Sequence, residues 1–440
     1  MNRISRVLAE AQRLVVPSPS ETEKTARLAR ALLAKTSIAA RRFAETRGVL
    51  LGGSFAKGTW LPGNNDLDIF VKIDPSTPEE EFERIGLEIG TLATRGHPRG
   101  KKFAQHPYTE AMVDGVRVNI VPCYAVEKGK WKSAADRSPF HVEVVKNIPE
   151  SMKTDVRLLK LFMNALGAYG AEIQRQGLSG YVAEVLVMKL KNLEGVLHWF
   201  AEYEPSREDR IFSLPDPVDE GRDLGTAVSG ESLGKMVLAA REFLRRPDLA
   251  FFRSMSGRTH PAMRRSVVGV VFYHRRLSED TLWGELRKTT KHLVRHVEIH
   301  GFRVARSMAA SNNSDRSAIL LIPEFWELPP IEQRVGPAVN RRKDVEAFIH
   351  SNSKETKLVW IDDDAKVRLL KPRSYTRLAD LLKDFVRGRV GPSGASREIQ
   401  AGMKKSSSVL FGKPLTRAAS GAEWLQNGIK EITSDAVGTR

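Results

Sequence analysis

Apolar and polar residues alternate at helical spacing in three stretches of the first hundred residues. The first stretch covers about residues 4–15 and ends at the Pro/Ser break VPSPS. The second opens at Ser20 and runs to the mid-40s, and Glu23 stands three positions after Ser20 as in a capping box. An acidic helix is predicted over about residues 78–94.

Short strands lie between and after these helices. The run VLLGG is apolar and ends in glycines, Asp66–Ile73 alternates as a half-buried strand does, and Asp114–Gly115 is typical of a two-residue hairpin turn. The hairpin would join strands at about 108–113 and 116–124. The first 125 residues are therefore predicted to be mixed α/β with a small sheet.

The middle of the chain reads as helical. Helical spacing is found in DVRLLKLFMNALGAYG, in SGYVAEVLVMKLKNLEGVLHWF and in SGESLGKMVLAAREFLRR, which precedes Pro247. We find no internal repeat. This pattern predicts a helical region after about residue 150.

Beyond about residue 260 the pattern changes to strand, long helix, strand, strand. These elements are predicted at 266–274, 279–299, 302–308 and 316–322, and a helix, a hairpin and a second helix follow at 343–351, 356–370 and 375–386. The β-α-β-β order suggests a small sheet of ferredoxin-like kind. The last fifty residues are rich in Gly, Ser and Lys, and we expect them to be loosely ordered.

The charge balance narrows the range of partners. The 440 residues contain 70 Lys and Arg against 53 Asp and Glu, a formal net charge of +17. Such an excess favours a polyanionic partner, with nucleic acid ahead of an anionic membrane and a role in solubility as the alternative. The single cysteine, Cys123, excludes an intrachain disulfide and a Cys-rich metal site. With no apolar run of transmembrane length and no signal-peptide pattern, we expect a soluble cytoplasmic protein.

Candidate chemistry begins with Asp66 and Asp68. Residues two apart on a strand point to the same face, so the two carboxylates should lie together and favour a hard cation such as Mg²⁺. For an Asp-x-Asp pair alone, a solvated edge-strand face is the better interpretation. The preceding Gly53-Ser54 and Lys57 change that weighting, because free backbone amides and a lysine suit a phosphate. The order Lys57-Gly58-Thr59 is not that of a Walker A loop.

A Gly-Ser loop followed by Asp-x-Asp on a strand is the arrangement of a nucleotidyltransferase, and the wider sequence is more specific. The chain resembles the archaeal-type (class I) CCA-adding enzymes, which are tRNA nucleotidyltransferases of the polymerase-β superfamily. The resemblance covers most of the chain and rests on these blocks: GSFAKGTWLPGNNDLDIF, FAQHPY, VNIVPCY, DRSPFH, DVRLLKLF, YGAEIQRQGLSGY and DPVDEGRD.

The resemblance implies an α+β protein with a polymerase-β-like nucleotidyltransferase head (1–150), a helical central domain (151–258) and a ferredoxin-like α+β tail (259–440) that binds the tRNA acceptor and T-stem region. It further implies template-independent addition of CCA to tRNA from CTP and ATP with Mg²⁺, by a protein that commonly forms homodimers. A related RNA nucleotidyltransferase of other specificity and an impaired tRNA-binding member of the family are the alternatives.

The resemblance also implies the role of each matching residue. Asp66 and Asp68 would bind the catalytic metals, Arg222 would read the base, and His106 would lie near the primer terminus. The triphosphate would be held by Gly53, Ser54, Lys57, Ser138, His141, Lys160 and Tyr169. From pattern alone, Lys160 would be solvated, Tyr169 a helix-end side chain, His141 a loop histidine and Arg222 a balance for neighbouring acids.

Asn119 is a departure from the family pattern, which has a third carboxylate at this position, just before the stretch VVPCY that reads IVPCY here. An amide can offer Mg²⁺ its carbonyl oxygen, but it carries no charge and cannot accept a proton. Asp114 in the hairpin turn is not an obvious substitute, and Glu110 depends on a register that the sequence does not give. The enzyme could work with two aspartates and an amide, be weakened, or carry an introduced substitution.

His292, His296 and His300 recur every four residues, which is a spacing that a shared metal could use. No carboxylate partner joins them, and Lys288, Lys291 and Arg295 would repel a cation. We interpret this side of the helix as solvated or RNA-facing. The basic clusters at 264–265, 274–276 and 341–343 are likewise suited to RNA phosphates.

Overall fold

The computed structural model describes residues 2–63, 66–204, 212–253, 260–388 and 397–435. The chain forms two compact units: residues 1–257 together with 435–440, and residues 258–434. The finer division of the first unit at residue 150 stays a prediction.

The first unit begins with a sheet and its covering helices. In chain order these elements are α1 (Arg3–Val15), α2 (Pro19–Ala40), β1 (Thr46–Gly52), α3 (Gly53–Lys57), β2 (Leu67–Ile73), α4 (Glu79–Ala93), β3 (Arg99–Phe103), β4 (Pro107–Val113) and β5 (Val116–Tyr124). The five strands lie in the order β1-β2-β5-β4-β3. Only β2 and β5 run parallel, and all the other neighbouring pairs in this sheet are antiparallel.

The alternation along β2 decides which face of this sheet carries chemistry. Leu67, Ile69, Val71 and Ile73 are fully buried and pack with Phe82 and other apolar residues of α4. Because successive side chains of a strand point to opposite faces, Asp68 points away from this core. The buried apolar face thus fixes the orientation of the acidic face.

Two local expectations need correction. The second helix begins at Pro19, and its N-cap is Ser18, whose hydroxyl accepts a hydrogen bond from the Glu21 amide; Ser20 lies inside the helix. Proline favours the first helical position because its φ angle is already helical. The Ser20–Glu23 spacing resembles a capping box, so it suggested a helix start two residues too late. The strand β3 was not predicted, because its sequence RGKKF has no apolar alternation.

The Asp114–Gly115 turn has positive φ angles of 51° and 79°, as a two-residue hairpin requires.

The rest of the first unit is helical. Its helices are α5 (Ser138–Lys146), α6 (Glu150–Ala165), α7 (Gly180–Leu190), α8 (Leu193–Ala201) and α9 (Gly230–Arg245). Side chains of Ser179, Asn192 and Ser229 cap the amino ends of α7, α8 and α9. A large apolar core, with Phe162, Phe200 and Phe243 among its buried members, holds α1 and α6–α9 together.

The second unit contains the predicted β-α-β-β series. Its elements are β6 (Val268–Tyr273), α10 (Glu279–Ile299), β7 (Val304–Ser311), β8 (Arg316–Pro323), β9 (Ile331–Ala338), α11 (Arg342–Asn352), β10 (Leu358–Ile361), β11 (Lys366–Pro372), α12 (Leu378–Val386), α13 (Arg397–Ser406), β12 (Ser408–Phe411), α14 (Lys413–Ser420) and α15 (Glu423–Ile432). They form one sheet in the order β12-β6-β8-β7 and a second in the order β10-β11-β9.

The expectation that the last fifty residues are loosely ordered is wrong for residues 397–434. Strand β12 pairs with β6, and α14 and α15 place Leu415, Leu425 and Ile429 in the core of this unit. The composition gave the wrong prediction, because it does not show that these apolar side chains recur at helical spacing among the Gly, Ser and Lys residues.

The histidines on α10 do not form a metal site among the described residues. The rings of His296 and His300 are 4.5 Å apart and pack on Phe385 and Tyr375, and His300 Nδ1 lies 2.9 Å from the carbonyl of His296. Burial, with the neighbouring His300, lowers the pKa of His296. His274, which was grouped with a basic RNA-facing cluster, is buried against Ser317 instead.

Among the helices that the structure describes, none has the length and apolar character needed to span a membrane.

Leu415 provides a test of order in the C-terminal segment. This side chain is 1% exposed in the core that α14 and α15 share with β6–β8. We expect Leu415→Ala to lower the free energy of unfolding by about 2–5 kcal/mol in urea denaturation of the full chain. Leu358→Ala, at a position 55% exposed, is the control and should change it far less. Equal stability of the two variants would show that the segment does not pack as described.

Candidate active site

Asp66 and Asp68 stand at the start of β2 on its open face. Burial raises the pKa of both carboxyls; Arg117 opposes this at Asp66, and Asn119 and Lys57 oppose it at Asp68. The Arg117 guanidinium lies 3.5 Å from Asp66 Oδ2. A raised pKa means that the two negative charges are poorly compensated by the surrounding protein groups.

The Gly52–Gly53 turn brings the backbone against Asp68. Gly53 has a φ of +63°, and a Cβ there would lie 1.9 Å from Asp68 Oδ2, so no other residue fits without displacing the carboxylate. The short helix α3 starts at this point, and Ser54 follows directly. Glycine at position 53 is therefore required by the close approach of the loop to the acid.

Asn119 lies directly beside Asp68. The two residues are paired in the parallel register of β2 and β5, and Asn119 Nδ2 donates a hydrogen bond of 2.9 Å to Asp68 Oδ1. Asn119 Oδ1 is buried and has no hydrogen-bond partner within the described part of the chain. The position expected to hold a third acid thus presents an amide and an unused carbonyl oxygen.

A cavity of about 390 Å³ opens above these acids. Of the residues proposed from the sequence, Ser54, Asp66, Asp68, Lys160 and Tyr169 line it. The remaining lining residues are Thr59, Trp60, Leu61, Arg117, Asn164, Glu172 and Arg175. The cavity therefore joins the sheet, the Gly-Ser loop and the segment from α6 to α7.

Lys57 and Lys160 meet at a buried acid that the sequence analysis did not consider. Glu184 on α7 accepts from Lys57 Nζ at 2.6 Å, from Thr59 Oγ1 at 2.5 Å and from Lys160 Nζ at 3.2 Å. Lys160 also donates to the carbonyl of Thr59 at 3.0 Å. Lys57 therefore lies behind the cavity wall, while Lys160 belongs both to the wall and to the buried group.

The electrostatics of this group favour full ionisation of Glu184. Burial alone would raise its pKa, but Lys160 and Lys57 outweigh burial and lower the pKa to about 2. Burial lowers the pKa of Lys160, and Glu184 works against that effect. Two ammonium groups face one carboxylate, so the group carries one surplus positive charge.

A second cluster surrounds the buried carboxylate of Asp216. It accepts from the Tyr181 hydroxyl at 2.9 Å and from Arg222 at 3.2 Å, and His141 Nε2 lies 3.4 Å away. The His141 ring stacks on Tyr181 with centroids 3.7 Å apart, and Lys57 Nζ lies 5.3 Å from the Tyr181 ring. His141 and Arg222 are thus brought together, and Tyr181 connects them with Lys57.

Two of the predicted site residues, Ser138 and His106, do not line the cavity and are not among the residues described around Glu184 and Asp216. Ser138 is the first residue of α5 and does not line the cavity. His106 Nδ1 lies 3.3 Å from Glu83 and 3.5 Å from Glu79, and its ring packs edge-on against Phe82. This is the one set of three potential ligand side chains close enough for a metal among the described residues.

Sequence reasoning missed Glu184, Asp216 and Arg117 as parts of the site. Glu184 carried a signal, because it is the one acid in the apolar helical run GYVAEVLVMKL. Arg117 had none, since its position opposite Asp66 depends on strand pairing.

The site fits a divalent cation. The carboxylates of Asp66 and Asp68 share one face, and Asn119 Oδ1 is an oxygen acceptor without a partner in the described structure. Hard cations such as Mg²⁺ select oxygen ligands of this kind. Asp66 and Asp68, with the carbonyl oxygen of Asn119, are the groups that would hold the ion.

Glu184→Gln tests the buried charge group. Removing the carboxylate leaves Lys57 and Lys160 without a counter-charge, so we expect a loss of about 3–5 kcal/mol in the free energy of unfolding at pH 7. The Glu184 pKa lies below its ordinary value, so its stabilisation is present at neutral pH. It should be lost as the pH falls from about 4.5 towards 2.

Urea denaturation followed by circular dichroism at several pH values measures both effects. Glu143→Gln, on the exposed side of α5, is the matched control and should change the stability by less than about 0.5 kcal/mol. A Glu184→Gln chain as stable as the control would contradict the buried network.

Comparison with known protein families covers the chain in three successive parts. Residues 37–145 match the nucleotidyltransferase domain, residues 154–253 the second domain of tRNA nucleotidyltransferase, and residues 264–412 the C-terminal domain of the CCA-adding enzyme. Among solved structures, a cytoplasmic RNA terminal U-transferase matches with a TM-score of 0.44 and 14% identity, covering 57% of this chain and 97% of that one. This similarity is too low to inform on function.

Curated relatives extend over nearly the whole chain. The CCA-adding enzyme of Pyrobaculum neutrophilum is 33% identical, with 91% of this chain and 97% of the relative covered. The CCA-adding enzyme of Methanopyrus kandleri is 32% identical, covering 95% and 91%. That of Methanothermobacter thermautotrophicus is 32% identical, covering 78% and 81%. With similarity at this level over most of its length, the chain belongs to the family of CCA-adding enzymes.

Proposed function

We propose that the chain adds C, C and A in turn to the 3′ end of tRNA, without a template, from CTP and ATP. In each step the terminal 3′-hydroxyl oxygen forms a bond to the α-phosphorus of the nucleotide, and the bond from that phosphorus to pyrophosphate breaks. The observation that carries the proposal is the cavity in which Ser54, Asp66, Asp68 and Lys160 meet, within a chain of this family.

Asp66 and Asp68 are the metal ligands in this proposal, and Mg²⁺ is the ion. When bound, divalent ions would lower the pKa of the attacking hydroxyl and neutralise the triphosphate and the leaving pyrophosphate. Asn119 contributes at most a neutral oxygen. Its Nδ2 instead donates to Asp68 Oδ1, which orients that carboxylate.

The triphosphate lies against the positive wall of the cavity. Lys160 and Tyr169 line this wall, and Ser54 with the backbone at Gly53 lies opposite, next to the acids. Lys57 acts from behind the wall, because its ammonium group is hydrogen-bonded to Glu184. Ser138 and His141 are assigned to the same phosphates from α5.

Arg222 is the base-reading residue. One of its nitrogens donates to Asp216, and its side chain remains 44% exposed, so the guanidinium has a fixed direction and further donors to offer. His106 is assigned to the primer end. The exposed arginines of the second unit would hold the acceptor stem and T-loop region by phosphate contacts, which read shape and not sequence.

The full assay is extension of a tRNA lacking CCA in the presence of CTP, ATP and Mg²⁺. We expect three added residues, incorporation from CTP and then ATP but not from UTP or GTP, and a loss of at least about 10³-fold with Asp68→Asn. Asp114→Asn, which removes a charge in the hairpin turn and tolerates positive φ, should extend tRNA normally.

Two outcomes would redirect the proposal. Extension with UTP alone would favour a related RNA nucleotidyltransferase of other specificity. Extension by Asn119→Asp but not by the unchanged chain would identify an impaired, tRNA-binding member of the family, because the amide at Asn119 would then be the defect.

We also propose a cytoplasmic homodimer. We expect light scattering coupled to size exclusion to give about twice the chain mass of 49.1 kDa. A mass equal to one chain at the concentrations used for catalysis would exclude the dimer.

A further inference from the structure

The register of the five-stranded sheet places Glu110 in line with the metal-binding acids. Asp68 pairs with Asn119 across β2 and β5, and Asn119 pairs with Glu110 across β5 and β4. Paired residues on neighbouring strands point to the same face. The row ends at Gly100 on β3, which pairs with Glu110 and brings no side chain. Glu110 is therefore the next acid along the row that Asn119 interrupts.

The guanidinium of Arg117 already lies between Glu110 and the other acid of the metal pair, Asp66. Arg117 lies 3.5 Å from Asp66 Oδ2, and its Nε lies 3.8 Å from Glu110 Oε2. A cation thus stands between a carboxylate of the metal pair and Glu110. Arg117 is 53% exposed, and its contacts are long, so it can leave without breaking a buried bond.

Asn119 is neutral, so it does not supply the third negative charge that two divalent ions would need. Its amide nitrogen is turned to Asp68, and its carbonyl oxygen is buried without a partner in the described structure. Two divalent ions next to only two carboxylates are under-neutralised, and the number of ligand charges sets the affinity of such sites. A further carboxylate is needed close to Asp66 and Asp68.

Glu110 is within reach. Two strand spacings separate it from Asp68, about 10 Å between backbones. An Asp and a Glu side chain, with a metal that binds each oxygen at about 2.1 Å, can cover this span. The other partner of Glu110, Lys102, is 42% exposed and 3.9 Å away, which is too weak a pair to hold the carboxylate.

We propose that Glu110 supplies the third carboxylate of the metal centre, from the strand next to the one that carries Asn119. This inference rests on the proposed function and deepens it. The third carboxylate comes from β4, the strand next to β5, on which Asn119 lies. Glu110 takes a metal in place of Arg117, and the Asn119 amide holds Asp68 in orientation.

Four chains test the proposal: the unchanged chain, Glu110→Gln, Asn119→Asp and the double variant. The first readout is Mn²⁺ binding followed by electron paramagnetic resonance, with CTP present and tRNA absent so that no transfer occurs. The second is the rate of C addition to tRNA. Asp114→Asn on the same hairpin removes an equal charge and is the control, with both readouts unchanged.

We expect Glu110→Gln to weaken Mn²⁺ binding at least tenfold and to slow C addition at least a hundredfold. In the Asn119→Asp background the same change should cost less than about threefold, because the acid at 119 replaces Glu110. Equal losses in both backgrounds, or no loss of Mn²⁺ affinity with Glu110→Gln, would overturn the proposal.

The failure of the proposed function would look different. In that case neither the unchanged chain nor Asn119→Asp would extend tRNA. The Mn²⁺ titration would still compare the affinity of the unchanged chain with that of Glu110→Gln without any catalysis, so the two failures are separable.

Discussion

The buried carboxylate of Glu184 is the interaction on which the geometry of the site depends. It takes hydrogen bonds from Lys57, Thr59 and Lys160, which come from α3, the loop after it, and α6. Taking charges out of water is costly, and the cost is offset only when every partner is satisfied. Because Lys57 and Thr59 lie just after the Gly-Ser loop and Lys160 lies on α6, their hydrogen bonds to Glu184 hold this loop against the helices α6 and α7.

The same group adds positive charge to one wall of the cavity. Two lysines against one acid leave a surplus positive charge at the wall formed by Lys160, while Asp66 and Asp68 on the sheet side are negative and poorly compensated. A free triphosphate would meet repulsion from the acids, and a free metal ion would meet repulsion from Lys160. A metal–triphosphate complex satisfies both walls at once, which is a physical reason for the site to select the complex over either part.

Local patterns were sufficient for most of the elements and for the acids. The Asp114–Gly115 turn and the alternation of β2 each follow from a few neighbouring residues, and the structure has them. The CCA-adding family, too, was evident from short blocks in order. Two contacts between residues distant in sequence were not predicted. The partner of Lys57 is 127 positions away, and the pairing of Glu110 with Asn119 requires the register of β4 and β5.

Composition failed in a different way for residues 397–434. Gly, Ser and Lys are frequent in that segment. Its stability depends on whether apolar side chains reach a common core, and Leu415, Leu425 and Ile429 do so. Average polarity is therefore a poor guide when short amphipathic helices pack on a sheet that already exists.

The cluster at Asp216 contains a neutral histidine, His141, and an oriented arginine, Arg222. Burial lowers the pKa of His141 to about 4 although the negative charge of Asp216 opposes this, so the imidazole is neutral at pH 7. A neutral ring can donate one hydrogen bond to a phosphate oxygen but neutralises no charge. In the proposed function, positive charge for the triphosphate would then come from Lys160 and from the arginines that line the cavity, Arg117 and Arg175. Because His141 is neutral, Asp216 forms no ion pair with it. The Asp216 carboxylate instead accepts hydrogen bonds from Arg222 and Tyr181 and orients both side chains. The acid thus orients the Arg222 guanidinium. In the proposed function, phosphate binding and base selection would then depend on two different buried carboxylates, Glu184 and Asp216.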